Sequence, residues 1–135
     1  MQKVEIIDLP YQQNPESLFA SVRHLPDALW LDSGYPASSS SQFDIITAHP
    51  SITLETIGCV TTTVSLEGTK TSTEEPFSLC EQLFSSKKTD STYNDYPFAG
   101  GIAGYFGYDL GRKDNSALPK LDSLPDMRIG YYQWA

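Results

Sequence analysis

Ile52-Thr53-Leu54-Glu55-Thr56-Ile57 and Val60-Thr61-Thr62-Thr63-Val64-Ser65-Leu66, followed by Thr69-Lys70-Thr71-Ser72, decide the fold. These runs are rich in β-branched residues and alternate apolar with polar, the pattern of strands that bury one face. Glu67-Gly68 between the second and third is a turn dipeptide. A strand meander is predicted over residues 52–72.

Upstream, residues 4–8 alternate and predict an opening strand. Asn14-Pro15-Glu16 predicts a helix start, with Asn as N-cap, Pro at the first helical position and an acid in the first turn. Leu18, Val22 and Leu25 mark its buried stripe, and Pro26 ends it, because the residue before a proline is pushed out of helical geometry. Ala28-Leu29-Trp30-Leu31-Asp32 reads as a nearly continuous apolar strand buried on both faces, and residues 33–41 as a serine-rich loop. A further strand covers residues 43–48 and closes at His49-Pro50.

Downstream, Thr73-Glu74-Glu75-Pro76 opens a second helix whose apolar stripe is Phe77, Cys80, Leu83 and Phe84. Residues 85–96 are polar and charged. Residues 98–110 set four glycines among aromatics, and residues 127–134 form a last strand. The fold class is α+β, a largely antiparallel or mixed sheet with two helices.

The 135 residues suit a single domain, since one core typically takes about 100–200. Seventeen Asp and Glu against nine Lys and Arg give a net charge of −8. With only two adjacent basic pairs, Lys87-Lys88 and Arg112-Lys113, the chain cannot neutralise many phosphates, which argues against nucleic-acid binding. Its apolar stretches are a few residues each, against the ~20 that span a bilayer, which argues against a membrane role. Acidic residues come too early for a secretory signal, and Cys59 and Cys80 lack disulfide or CxxC spacing. A cytoplasmic location is expected. The apolar close over residues 129–135 has no turn signal, so a longer parent protein, cut in or just after a strand, is expected.

No catalytic or metal centre stands out. Gly100-Gly101-Ile102-Ala103-Gly104-Tyr105-Phe106-Gly107 lacks the Lys-Ser/Thr of a phosphate loop and carries Tyr108-Asp109 instead. Aromatic alternation through Tyr105, Phe106 and Tyr108 reads as strand, where glycine marks a bulge or close backbone approach. His24 and His49 lie in different elements without acidic or thiol partners at ligand spacing, so no metal site is predicted. Asp32-Ser33-Gly34 after an apolar pair is the one sharp catalytic string. It resembles the loop of retroviral-type aspartic proteases, in which two carboxylates share a proton. Asp32 would then be catalytic, although Tyr35 stands where a small residue is usual. A stand-alone small-ligand or interaction module is the third possibility.

A second resemblance covers nearly the whole chain. Pro97-Phe98-Ala99-Gly100-Gly101-Ile102-Ala103-Gly104-Tyr105-Phe106-Gly107-Tyr108-Asp109-Leu110-Gly111-Arg112 resembles the N-terminal region of chorismate-utilising enzymes, the large subunits of aminodeoxychorismate and anthranilate synthases. Leu124-Pro125-Asp126-Met127 and residues 129–135 resemble the next strand of these enzymes. Leu29-Trp30-Leu31-Asp32-Ser33 and Ser41-Gln42-Phe43-Asp44-Ile45-Ile46 fall in the same order as the family's earlier pieces. Asp-Leu-Gly-Arg ending at Arg112, and the Trp134-Ala135 close, look more like the para-aminobenzoate branch than the tryptophan-pathway branch.

The resemblance implies an α/β sandwich whose C-terminal chorismate-binding domain, with its magnesium, follows Ala135. Residues 1–135 would then hold no catalytic residue and no cofactor of their own. The parent enzyme would take chorismate and ammonia from a glutamine amidotransferase subunit and form 4-amino-4-deoxychorismate for folate synthesis. By position, the resemblance also implies a tryptophan pocket lined by Leu31, Ser33 and Phe43, with Ser40 and Asp44 nearby and Gln42 in place of a frequent Arg. Apolar walls would hold the indole, and Ser33 would serve its polar groups. Read from the residues alone, Leu31 and Phe43 are equally well ordinary core positions.

Overall fold

The computed structural model describes residues 4–34, 43–87, 96–108, 110 and 124–135. Two helices, α1 (Glu16–Val22) and α2 (Pro76–Ser86), accompany seven strands: β1 (Leu29–Leu31), β2 (Ile45–Thr47), β3 (Ile52–Ile57), β4 (Val60–Ser65), β5 (Gly68–Ser72), β6 (Gly101–Phe106) and β7 (Met127–Tyr132). Strands β1 and β2 form an antiparallel pair, and the other five form an antiparallel sheet in the order β5-β4-β3-β7-β6. The fold is α+β, and the meander is β3-β4-β5.

Register decides which side chains meet. Leu54 pairs with Thr63 on one side and Ile129 on the other, and Ile129 pairs with Gly104. Paired residues share a face of the sheet. That face holds the core of Leu54, Met127 and Ile129, against which Ile52, Ile102, Leu110 and the α2 residues Leu79, Cys80 and Leu83 pack. Full burial of each core side chain contributes about 1.5–3 kcal/mol. Thr56 and Thr61, also buried, satisfy one another through a 2.8 Å hydroxyl hydrogen bond.

Helix α2 begins as predicted. The Glu75 carboxylate accepts a hydrogen bond from the Ser78 N–H at 2.9 Å, and Pro76 occupies the first turn, where its missing donor costs nothing. The expected stripe is corrected by half. Phe77 and Phe84 are 51% and 65% exposed, and Leu79 takes their place beside Cys80 and Leu83. Helical spacing gives an apolar arc, and docking chooses its centre. Phe77 stays at the margin, stacked on Phe106 with ring centroids 5.2 Å apart.

The opposite face of β7 is held by charge. Arg128 donates to both carboxylate oxygens of Asp27, at 2.7 and 3.1 Å, and to Glu55, its register neighbour on β3. The hydrogen bond with Asp27 holds the guanidinium well above its ordinary value, against the opposing effect of burial. Asp27 lies in the left-handed region at φ 48°, and its carbonyl accepts from the Tyr132 hydroxyl at 2.8 Å. The His49 N–H donates to the Pro26 carbonyl at 2.8 Å, and the Thr47 hydroxyl to the Trp134 carbonyl at 2.6 Å. These bonds dock the β1-β2 pair and α1 on the large sheet, with Phe19 against Trp30 at 5.6 Å.

Further sequence expectations change: the expected stripe of α1 is not buried, with Leu18 36% exposed, and the strand over residues 43–48 is confined to Ile45–Thr47. Residues 4–8 form no strand, because no neighbour pairs with them among the described residues. Helix α1 starts at Glu16 with Pro15 as the capping residue, while Asn14 accepts from the Glu16 N–H at 2.9 Å. Strand β1 is not buried on both faces: Leu31 is 49% exposed, since the two-stranded sheet is covered less toward its tip. The last strand ends at Tyr132 rather than at residue 134. At the sheet margins, β5 carries Lys70, ion-paired with Glu67 at 3.7 Å, whereas β6 is uncharged throughout.

Glycine in β6 answers a close approach. A methyl at Gly104 would lie 2.6 Å from the Ile129 Cα and clash with the Arg128 carbonyl. Gly104→Ala is expected to cost about 3 kcal/mol, read as the shift in urea midpoint. Tyr132 gives a pH signature. Burial, reinforced by the Asp27 carboxylate, pushes its phenol up to about 12. The fold therefore holds this proton more tightly than the unfolded chain, whose tyrosine titrates near pH 10. Stability is full below about pH 10 and falls as pH rises toward 12. Tyr132→Phe is expected to be about 1 kcal/mol less stable at neutral pH and to show a shallower alkaline loss.

Candidate functional site

The open tip of the β1-β2 pair carries the residues singled out by resemblance. Leu31 pairs with Ile45, and the chain beyond each brings Ser33 opposite Asp44. The Ser33 N–H and hydroxyl both donate to Asp44 Oδ1, at 3.0 and 3.3 Å. Gly34, at φ +83°, turns the chain and donates its N–H to Asp32 Oδ1 at 2.8 Å. Phe43 precedes Asp44 and is 45% exposed, similar to Leu31. Leu31, Ser33, Phe43 and Asp44 thus gather at one tip, and Ser40 lies outside the described residues.

This tip presents two half-exposed apolar side chains beside a carboxylate fixed by two donors. A carboxylate offers about four acceptor positions, so Asp44 retains capacity for an ammonium group. Asp32 is exposed and turned to its own backbone, and Asp44 is tied to Ser33.

The remaining reactive types are dispersed. Cys80 lies 3.7 Å from the Met127 sulfur, and burial, with a smaller effect of Glu75, pushes its thiol up, away from the nucleophilic thiolate. Cys59 is exposed in the β3-β4 turn. His49, at φ 55°, uses its backbone at the junction of β2 and β3. Among the described residues no three His, Cys, Asp or Glu side chains converge on a point that could hold a metal ion, and no helix is long and apolar enough to cross a membrane.

One feature escaped sequence reasoning. A cavity of about 480 Å³ opens between residues 4–9 and the end of β7, lined by Glu5, Ile6 and Asp8 on one side and by Phe98, Tyr131 and Trp134 on the other. The alternating start and aromatic close of the chain were the available signals, but nothing local says that they meet.

No family model matches the chain. Its similarity is to one component of a biosynthetic synthase. That component is aminodeoxychorismate synthase component 1: the chain is 40% identical over 136 residues to the protein of Escherichia coli (strain K12), 37% over 135 residues to that of Klebsiella aerogenes, and 38% over 136 residues to that of Salmonella typhimurium. Each match covers 96% of this chain, which spans 30% of the length of these curated relatives. The resemblance carried by the Gly-rich run is thereby shown, on the aminodeoxychorismate side, and the protease reading of Asp32 is not favoured.

The Ser33–Asp44 bonds give the tip its shape. Asp44→Ala is expected to lower stability by about 1 kcal/mol in thermal denaturation. Asp32→Asn, which keeps an acceptor for the Gly34 N–H, should change it by less than about 0.5 kcal/mol.

Proposed function

We propose that this chain is the N-terminal part of a longer protein working as aminodeoxychorismate synthase component 1, and that residues 1–135 serve it as scaffold and effector-binding region. The observation that carries the reading is the match over 96% of this chain to relatives of which it spans 30%. Exposed apolar surface supports it. The sheet face bearing Arg128 is covered at β7 but open at β3 and β4, where Ile57, Val60 and Val64 are 62%, 43% and 46% exposed. Such a patch suits contact with further protein.

In this reading the amino transfer to chorismate takes place in the part of the protein that follows. Ammonia comes from a glutamine amidotransferase partner, the product feeds folate synthesis, and magnesium is held by that later part. The tip of the β1-β2 pair takes tryptophan: Leu31 and Phe43 against the indole, Asp44 toward the α-ammonium, with Ser33 beside it. A charge-assisted hydrogen bond to Asp44 would be the strongest single contact.

The longer protein, supplied with chorismate and ammonia, is expected to form aminodeoxychorismate, while the 135 residues alone form none. Turnover by the 135 residues alone would refute the scaffold assignment. Calorimetry should show tryptophan binding to the longer protein, weakened about tenfold by Asp44→Ala. No heat with either the longer protein or the chain would remove the tryptophan assignment and leave the synthase assignment standing.

A further inference from the structure

The cavity between residues 4–9 and the end of β7 has a composition that selects a ligand. Its volume, about 480 Å³, lies within the range of small-molecule sites. Tyr131 and Tyr132, 3% and 2% exposed, belong to its inner side through the end of β7, with their rings on opposite faces of that strand, and Phe98 and Trp134 bring aromatic side chains to the same lining. This side is anchored by hydrogen bonds elsewhere. The Ser51 N–H donates to the Tyr131 carbonyl at 2.9 Å, the Tyr132 hydroxyl is committed to Asp27, and the Thr47 hydroxyl holds the Trp134 carbonyl. The backbone of this side is therefore held before any ligand arrives, which spares a ligand the cost of ordering it.

The charged side chains that line it are Glu5 and Asp8, and no Lys, Arg or His is among the lining residues. Aromatic faces carry negative quadrupole density and attract organic cations, most strongly where water is excluded. Two carboxylates beside them add attraction of the same sign, and the chain's net charge of −8 favours approach of a cation. An anion meets repulsion from both acids. A zwitterionic amino acid brings a carboxylate for which the lining offers no cationic side chain, so part of its polar surface would be desolvated without a charged partner.

We propose that this cavity is a binding site for a singly charged organic amine with an apolar body and no carboxylate. It is separate from the tip that carries Leu31 and Asp44, and does not depend on the synthase reading. Residues 4–9 act as its outer wall: Ile6 and the residues around it give apolar contact, while Glu5 and Asp8 set the sign of the ligand.

The test uses the 135-residue chain with phenethylamine, phenylalanine and 3-phenylpropionate, which share a ring and differ in charge. Calorimetry and the indole N–H resonance of Trp134 report binding. Phenethylamine is expected to bind at least about fivefold tighter than either of the others and to weaken with added salt. Trp134→Ala, and separately the double change Glu5→Gln with Asp8→Asn, should each weaken it about fivefold or more with an unchanged circular dichroism spectrum. Equal binding of all three compounds, no binding of phenethylamine at about 10 mM, or undiminished binding by both variants would overturn the proposal.

Discussion

Strand β7 has to be covered on both faces at once, and the rest of the molecule is arranged around that requirement. Its alternate residues Met127, Ile129 and Tyr131 face the side on which α2 packs, and Arg128, Gly130 and Tyr132 face the other. One side is closed by apolar packing. The other is closed by a guanidinium between Asp27 and Glu55, with Gly130 bare so that Pro50 can lie directly over the strand. A larger residue at position 130 would meet the Pro50 ring at 2.7 Å.

These two closures differ in kind. The apolar one is non-directional and tolerates exchange among Leu79, Cys80 and Leu83 so long as volume is kept. The charged one fixes angle and register, because the planar fork of Arg128 reaches two carboxylates from segments far apart in sequence. It is partly exposed, so its contribution lies in orientation more than in net energy. The β1-β2 pair is thereby oriented on the large sheet, and its tip is left free to present Leu31, Ser33 and Asp44.

Local chemistry made much of this readable. The β-branched alternation from residue 52 onward, the Glu67-Gly68 turn and Pro76 behind Glu75 each specify geometry within a few residues, and each appears in the structure as read. The failures share one cause. Residues 4–8 alternate like a strand but find no partner to pair with among the described residues, and Leu31 has an apolar neighbourhood in sequence yet little above it in space. Ser33 and Asp44 stand 11 residues apart with no spacing rule to join them, and only the resemblance names them together. The Arg128–Asp27 pair spans 101 residues, and the cavity joins the two ends of the chain. Such contacts are set by topology, which single-residue preferences do not encode.

The two margins of the five-stranded sheet are chemically unlike. On β5 a central lysine stands among small hydroxylic residues, so a foreign strand approaching that border would have to strip water from an ammonium group. On β6 the run from Gly101 to Phe106 offers no such deterrent: its backbone is flanked by glycine, alanine, isoleucine and aromatic rings. Sheet growth is thus discouraged on one border and chemically permitted on the other. Any extension of this sheet, whether by its own polypeptide or by a neighbour, has a built-in direction.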